Sequence, residues 1–208
     1  MVTSRLIYIH DPMCSWCWGF RPTLARLCEQ LPDNLSVSRL LGGLAPDDDR
    51  PMPDELQSKL QDTWRRIQSR IPGTRFNFDF WRNCQPRRST WPACRAVIVA
   101  RQLDPTLELP MIEAIQRAYY LEARNPSDAD TLEALAGHLG LDGADFADRL
   151  NSSQTRDVLE KEIRRARAIG ADSFPSLRLQ TGESFWPVPV SYTETRPMLE
   201  TIEALIDS

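Results

Sequence analysis

The sequence predicts an α/β protein whose core is interrupted by an all-helical insertion. Three observations carry this prediction. A strand–helix–strand pattern runs up to Leu41, helical signals dominate from about residue 53 to 169, and two β-prone runs with a final helix follow. The order is therefore βαβ, a helical block, then ββα. The core is assigned to residues 1–45 and 170–208 and the insertion to residues 46–169.

The run Arg5-Leu6-Ile7-Tyr8-Ile9-His10 is apolar and β-prone and breaks at Asp11-Pro12, which reads as a short buried strand ending in a turn. A helix follows, opening at or near Cys14. Cys17, Phe20, Leu24, Leu27, Cys28 and Leu31 recur along it at helical spacing, on one stripe. Pro22 lies inside this helix and removes a backbone hydrogen bond, at a cost of ~3 kcal/mol, so a kink is expected there. Leu35 to Leu41 reads as a second strand, closed by Gly42-Gly43.

After a Pro- and Asp-rich stretch, helices are expected over 53–70, 89–103, 107–124, 128–139, 143–150 and 153–169. Ser89 or Thr90 can cap the second and Pro92 suits its first turn; Ser127 or Asp128 and Asp142 open later ones, and Gly140 and Gly170 close two. Phe76 to Trp81 reads as an aromatic-rich connection. Past Pro175, apolar and polar residues alternate to Gln180, Thr181-Gly182 turns, and Ser184 to Val190 completes a hairpin. Pro187 and Pro189 push that last strand to an edge. Residues 195–206 close the chain as an amphipathic helix with Leu199, Ile202, Leu205 and Ile206 inward.

Hydrophobic residues make up 41% and charged residues 26% of the 208, ordinary globular usage that excludes a disordered or collagen-like chain. The longest obvious apolar run, Ala96 to Ala100, falls far short of the roughly 18 residues that span a bilayer. Leu6 to Ile9 is too short for the roughly 7 to 15 residues of a signal-peptide core. A cytoplasmic location with no membrane partner is the expectation. A net charge of -4 argues against nucleic acid as a partner. The pairs Arg65-Arg66, Arg87-Arg88 and Arg164-Arg165 are interleaved with Asp62, Glu160 and Glu162, which suits solvated helix faces better than a phosphate-binding stripe.

Five cysteines leave at least one unpaired within the chain. The informative pair is Cys14-Ser15-Trp16-Cys17. Positions i and i+3 on a helix hold Cβ atoms about 5–6 Å apart, a little beyond the roughly 3.5–4.5 Å of a disulfide, so the pair can switch between dithiol and disulfide with little backbone movement. The positive end of a helix favours a thiolate, which casts Cys14 as an exposed nucleophile. Cys17, on the buried stripe, is cast as the resolving thiol. Structural zinc needs four ligands, usually as two close pairs. Cys84 and Cys94 do not form a second such pair and His10 and His138 are the chain's histidines, so neither metal nor cofactor is expected. Chance spacing of two core cysteines is the other alternative. Cys28 and Cys94 read as buried side chains, Cys84 as an exposed extra thiol, and a Cys84–Cys94 pair as a weaker option. His10 and His138 read as structural, Trp18 as core, and Asp11 as a turn former ahead of a proton acceptor near Cys17.

The segment Asp11-Pro12-Met13-Cys14-Ser15-Trp16-Cys17-Trp18-Gly19-Phe20, together with Gly170-Ala171-Asp172-Ser173-Phe174-Pro175-Ser176-Leu177, resembles the DsbA-like branch of the thioredoxin superfamily and its cytosolic, FrnE-like members. The resemblance covers essentially the whole chain. It implies a thioredoxin-like fold interrupted by an all-helical insertion, and a thiol–disulfide oxidoreductase or protein disulfide isomerase working through a mixed disulfide. By position, Cys14 matches the attacking cysteine and Cys17 the resolving one. Pro175 matches the cis-proline facing the active site, and Phe174 precedes it, where the backbone pairs with a substrate chain. Ser15 and Trp16 replace the Pro-His of the strong periplasmic oxidant, and the missing imidazole argues against a highly oxidising potential. Ser15, Trp16, Phe174 and Pro175 are thus the candidate substrate-binding residues. The implied partners are protein or small-molecule thiols and disulfides, with glutathione a candidate. Two other readings stay open. One is a kappa-like glutathione-dependent isomerase or transferase, which shares the interrupted fold but typically uses one hydroxyl or thiol. The other is a non-enzymatic partner-binding or metal-sensing module built on the helical block.

Overall fold

A computed structural model describes residues 4–207. The elements follow in the order β1 (Ser4–His10), α1 (Ser15–Gln30), β2 (Ser36–Leu41), α2 (Asp54–Arg70), α3 (Phe80–Asn83) and α4 (Trp91–Leu103). A 3-10 turn at Pro105–Leu107 leads into α5 (Glu108–Tyr120), α6 (Ala129–His138), α7 (Gly143–Leu150), α8 (Ser153–Ala168), β3 (Ser176–Thr181), β4 (Ser184–Val188) and α9 (Arg196–Ile206). An α/β core interrupted by helices is what the sequence predicts. The chain divides into two compact units, one of Met1–Gly42 with Glu162–Ser208 and one of Gly43–Lys161.

The first unit is built on a sheet of order β2-β1-β3-β4. β1 pairs in parallel with β2, as the crossover through α1 requires, and antiparallel with β3; β3 pairs antiparallel with β4. Alternation along β1 sorts its side chains to two faces. Leu6 and Tyr8 join Phe20, Leu24 and Leu27 of α1 and Met198 and Ile202 of α9 in one cluster. Ile7 and Ile9 join Leu40, Ala166 and Ala171 in the other, with Ile169, Phe174 and Phe185 packed against it. β1 is thus buried on both faces, which explains its near-continuous apolar run. β4 is an edge strand, where the missing N–H of Pro187 costs no ladder bond.

α1 continues past Pro22 to Gln30 as one helix. In α9 the buried residues are Met198 and Ile202, while Ile206, expected inward, is 39% exposed. Leu199 and Leu205 pack half-buried on the same cluster, as expected, and Met198 completes that face in place of Ile206, which lies at the last turn.

The second unit is helical. Ala93 to Ala100 of α4 are all buried, so this helix is its core. Arg95 is buried among them at 3% exposure and is fully engaged. Its Nε donates to the Leu150 carbonyl, Nη1 to both Asp47 carboxylate oxygens and Nη2 to Asn151 Oδ1. Trp64 of α2 is surrounded by the rings of Phe76, Phe78, Phe80, Trp81, Tyr119 and Tyr120. The stretch read as an aromatic connection therefore supplies a core, and its end forms α3. α5 stops at Tyr120 rather than running to residue 124, because Ala123 takes a positive φ of 52°. Cys84 is half-buried and donates its thiol to the Ala123 carbonyl at 3.0 Å; Cys94 is fully buried, and the two are not joined.

Candidate active site

The loop between β1 and α1 is shaped by Asp11. Its Oδ1 accepts the Met13 N–H at 2.8 Å and its carbonyl accepts the Cys14 N–H at 3.0 Å, the turn role expected of it. That turn delivers Cys14 to the N-cap of α1 in an extended conformation (φ -80°, ψ 115°), and the Cys14 carbonyl accepts the first helical bond, from Trp18 N. Ser15 is buried at the first helical position and Trp16 is half-buried beside it. Cys17, one turn on, is completely buried, whereas Cys14 keeps 6% of its surface. Cys14 is thus nearer burial than the sequence suggests, but it is the more accessible of the two. Both are free thiols.

The second wall comes from the segment before β3. Gly170, at φ 76°, ends the helical turn after α8, and Arg178 of β3 reaches back to the carbonyls of Ile169 and Gly170. Ser176 Oγ donates to the Ser173 carbonyl at 2.7 Å. Held so, the Phe174–Pro175 bond is cis, and the Phe174 carbonyl accepts from Cys14 Sγ at 3.5 Å. The structure thus brings Cys14, Cys17 and the Phe174-Pro175 step together. The Phe174 ring does not line an open groove. It packs on the cluster of Ile7, Ile9 and Leu40 and lies over Gly42, where a Cβ would meet Phe174 Cε1 at 2.0 Å.

Trp16 packs against Tyr192, ring centroids 5.0 Å apart, and Tyr192 in turn meets Phe20 at 5.9 Å. Thr23 Oγ1 donates to the Tyr192 carbonyl at 2.6 Å and fixes that loop on α1. Trp18, expected in the core, is half-buried and carries the Arg21 guanidinium 5.4 Å from its ring centroid.

Beneath the pair lies Tyr8. Burial pushes the Cys17 thiol well above its ordinary range; its hydrogen bond with Cys14 and the Cys14 charge add to that, while a backbone hydrogen bond at Asp11 and the Tyr8 hydroxyl pull it down. Burial, and then the Cys17 charge, likewise hold the Tyr8 phenol well above its usual value, so it stays protonated. The two sulfurs are therefore unequal in exposure, and burial makes the inner one, Cys17, hard to ionise. Sequence reasoning missed Tyr8, Tyr192 and Gly42. For Tyr8 a signal existed: it shares the β1 face that meets the helix carrying Cys17.

Among the described residues no group of three or more His, Cys, Asp or Glu side chains is placed to hold a metal, and no helix is long and apolar enough to cross a membrane. A recess of about 800 Å³ in the second unit is lined by Asp47, Arg87, Arg95, Asp128 and Asn151 among others and by none of these site residues.

Residues 6–188 match the DSBA-like thioredoxin domain. The chain belongs to this family. A DsbA-like fold over nearly the whole chain is shared with a candidate protein disulfide isomerase from Nitrosomonas europaea, with a TM-score of 0.84, 26% identity and coverage of 99% and 98% of the two chains. The cytosolic disulfide reductase DsbM from Pseudomonas aeruginosa has a TM-score of 0.77 and 26% identity over 98% of each chain, and its structure with GSH has a TM-score of 0.76, 26% identity and coverage of 98% of this chain and 100% of that one. A curated relative, the ClpXP adapter protein SpxH from Halalkalibacterium halodurans, is 24% identical over 170 residues; the match covers 80% of this chain and 55% of that protein, so the chain spans about half the length of that relative.

Proposed function

We propose that this DsbA-like chain is a thiol–disulfide oxidoreductase that cycles Cys14 and Cys17 between dithiol and disulfide. The observation that carries this is the unequal pair itself: a partly accessible sulfur at the N-cap of α1, 3.5 Å from the Phe174 carbonyl, with a fully buried sulfur one turn behind it. Cys14 attacks a substrate disulfide and forms a mixed disulfide. Cys17 then attacks the Cys14 sulfur and releases the substrate thiol. Ser15, Trp16 and the Phe174-Pro175 step form the substrate side. Trp16 with Tyr192 offers aromatic surface, and the backbone at Phe174 offers hydrogen bonding to an extended chain.

The likeness to DsbM supports the reducing direction, a cytosolic setting and glutathione as the small thiol that regenerates the dithiol. The intact pair argues against a kappa-like transferase, which uses a single hydroxyl or thiol. Cys14→Ser tests the reading. Turnover of a small chromogenic disulfide with glutathione should vanish while circular dichroism stays unchanged, and retained turnover would overturn it. The likeness to SpxH supports a second reading, an adapter that binds a partner. Binding of that kind survives Cys14→Ser.

A further inference from the structure

Tyr8 is buried at 5% exposure in β1, in the middle of the packed face beneath α1. Its ring is held by two others, stacked on His10 at 4.9 Å with 6° between planes and tilted against Phe20 at 6.0 Å. Phe20 stands one turn beyond Cys17 on α1, so the Tyr8 ring packed on it lies under that turn, and the Tyr8 hydroxyl favours the Cys17 thiolate. A phenol that stays protonated acts only as a donor towards an anionic sulfur. A ring clamped in this way cannot swing to another acceptor, so the hydroxyl is preorganised for the sulfur.

We propose that Tyr8 is a further catalytic residue of the disulfide exchange: its hydroxyl donates a hydrogen bond to Cys17 Sγ as that sulfur attacks the Cys14 mixed disulfide. The inference rests on the exchange reading above. In the step, the Cys17–Cys14 bond forms and the bond between Cys14 and the substrate sulfur breaks. The electron pair leaves with the substrate sulfur, and the proton lost from Cys17 ends on the released substrate thiol. Tyr8 keeps its own proton throughout. The groups that face Cys17 are Cys14 on α1, the Asp11 backbone in the loop and Tyr8 on β1. His10 stacks behind Tyr8, and Arg39 of β2, the register partner of Tyr8, opposes the rise in the phenol from the neighbouring strand.

Tyr8→Phe removes the donor and keeps the ring between His10 and Phe20. A hydrogen bond to a charged group shifts the thiolate equilibrium by roughly tenfold, about 1.4 kcal/mol. The midpoint for ionising Cys17 therefore moves up by about one pH unit. The thiolate that remains is more basic and about threefold more nucleophilic. On the acid side of the midpoint the resolving step thus slows about threefold, and past the shifted midpoint it becomes about threefold faster. A structural role does not produce that crossing.

The experiment mixes reduced protein with excess 5,5′-dithiobis(2-nitrobenzoate) in a stopped-flow instrument across pH, and follows nitrothiobenzoate release. The phase lost in Cys14→Ser reports the first attack, and the phase lost in Cys17→Ser reports resolution. In Tyr8→Phe the first phase keeps its wild-type rate, which also shows the fold intact, and the second crosses the wild-type profile. Site-specific 3-fluorotyrosine at position 8, a stronger donor in the same ring, moves the second phase the opposite way. An unchanged profile for the second phase, or a slowing equal at every pH, overturns the role of Tyr8 alone. Absence of any Cys17-dependent phase in the wild type overturns the exchange reading and this inference with it.

Discussion

Gly42 directly follows β2; its N–H donates to the His10 carbonyl at 2.7 Å, and its backbone lies against the Phe174 ring. In Gly42→Ala the new Cβ would lie 2.0 Å from Phe174 Cε1, 2.1 Å from Cζ and 2.8 Å from Cδ1. Ordinary van der Waals contact begins at 3.4 Å, so the ring must retreat by about 1.4 Å. The half-buried ring packs on Ile7, Ile9 and Leu40, so a retreat gives up that packing. Overpacking of this kind costs ~1–3 kcal/mol, which for a chain of this length lowers Tm by roughly 2–12 °C. The same shift drags the Phe174 carbonyl away from Cys14 Sγ, and a displacement near 1 Å at a reacting centre costs about 10²-fold in rate.

Thermal melts and turnover of a chromogenic disulfide read the two effects. A double-mutant cycle with Phe174→Ala isolates the clash, since Gly42→Ala should cost almost nothing once the ring is gone, leaving a coupling of ~1–3 kcal/mol. Wild-type stability and turnover in Gly42→Ala, or additive losses in the cycle, would refute the reasoning.

Other outcomes follow from the same geometry. Cys17 is held above its ordinary thiol range by burial, so the folded state keeps a proton that the unfolded chain loses. Stability should therefore be full below about pH 8.5 and fall above it by up to ~1.4 kcal/mol per pH unit. Cys17→Ala should flatten urea-denaturation midpoints over that range relative to wild type, and an unaltered slope would contradict the assignment. Arg95→Met leaves the Leu150 carbonyl, Asn151 and the half-exposed Asp47 without their donor, and should lower stability by ~2–4 kcal/mol in urea denaturation. Cys17→Ala incubated with oxidised glutathione should accumulate glutathione on Cys14, resolved by peptide mass spectrometry, whereas wild type should not.

The sequence shows most of this where the chemistry is local. The apolar run at Leu6 to Ile9, the stripe of Cys17, Phe20 and Leu24, and the Asp11 turn are each written in a few consecutive residues, and the elements form there. The Cys14-to-Cys17 spacing and the Phe174-Pro175 step, distant in sequence, are brought together at 3.5 Å. What was not legible depends on which face meets which. Gly42 reads as a strand terminator, yet its lack of a side chain is required by a ring far along the chain. Tyr8 reads as one more apolar strand residue, and its hydroxyl acquires a role because α1 crosses above it. Tyr192 sits between two prolines and the last helix with no periodicity to mark it; Thr23 holds it against Trp16. In α9 the stripe of Leu199, Ile202 and Leu205 packs as read, but Met198 at the first turn joins it and Ile206 at the last turn does not.

The central claim is that the sulfurs of Cys14 and Cys17 interconvert reversibly between dithiol and disulfide. Equilibration in buffers of defined reduced-to-oxidised glutathione ratio, quenching with acid and alkylation for peptide mass spectrometry measure this directly. A Cys14–Cys17 disulfide should appear and disappear along a two-electron curve, with Cys28, Cys84 and Cys94 alkylated throughout. Two thiols that remain alkylated at every ratio, or a stable glutathione adduct at Cys14 with Cys17 still reduced, would contradict it.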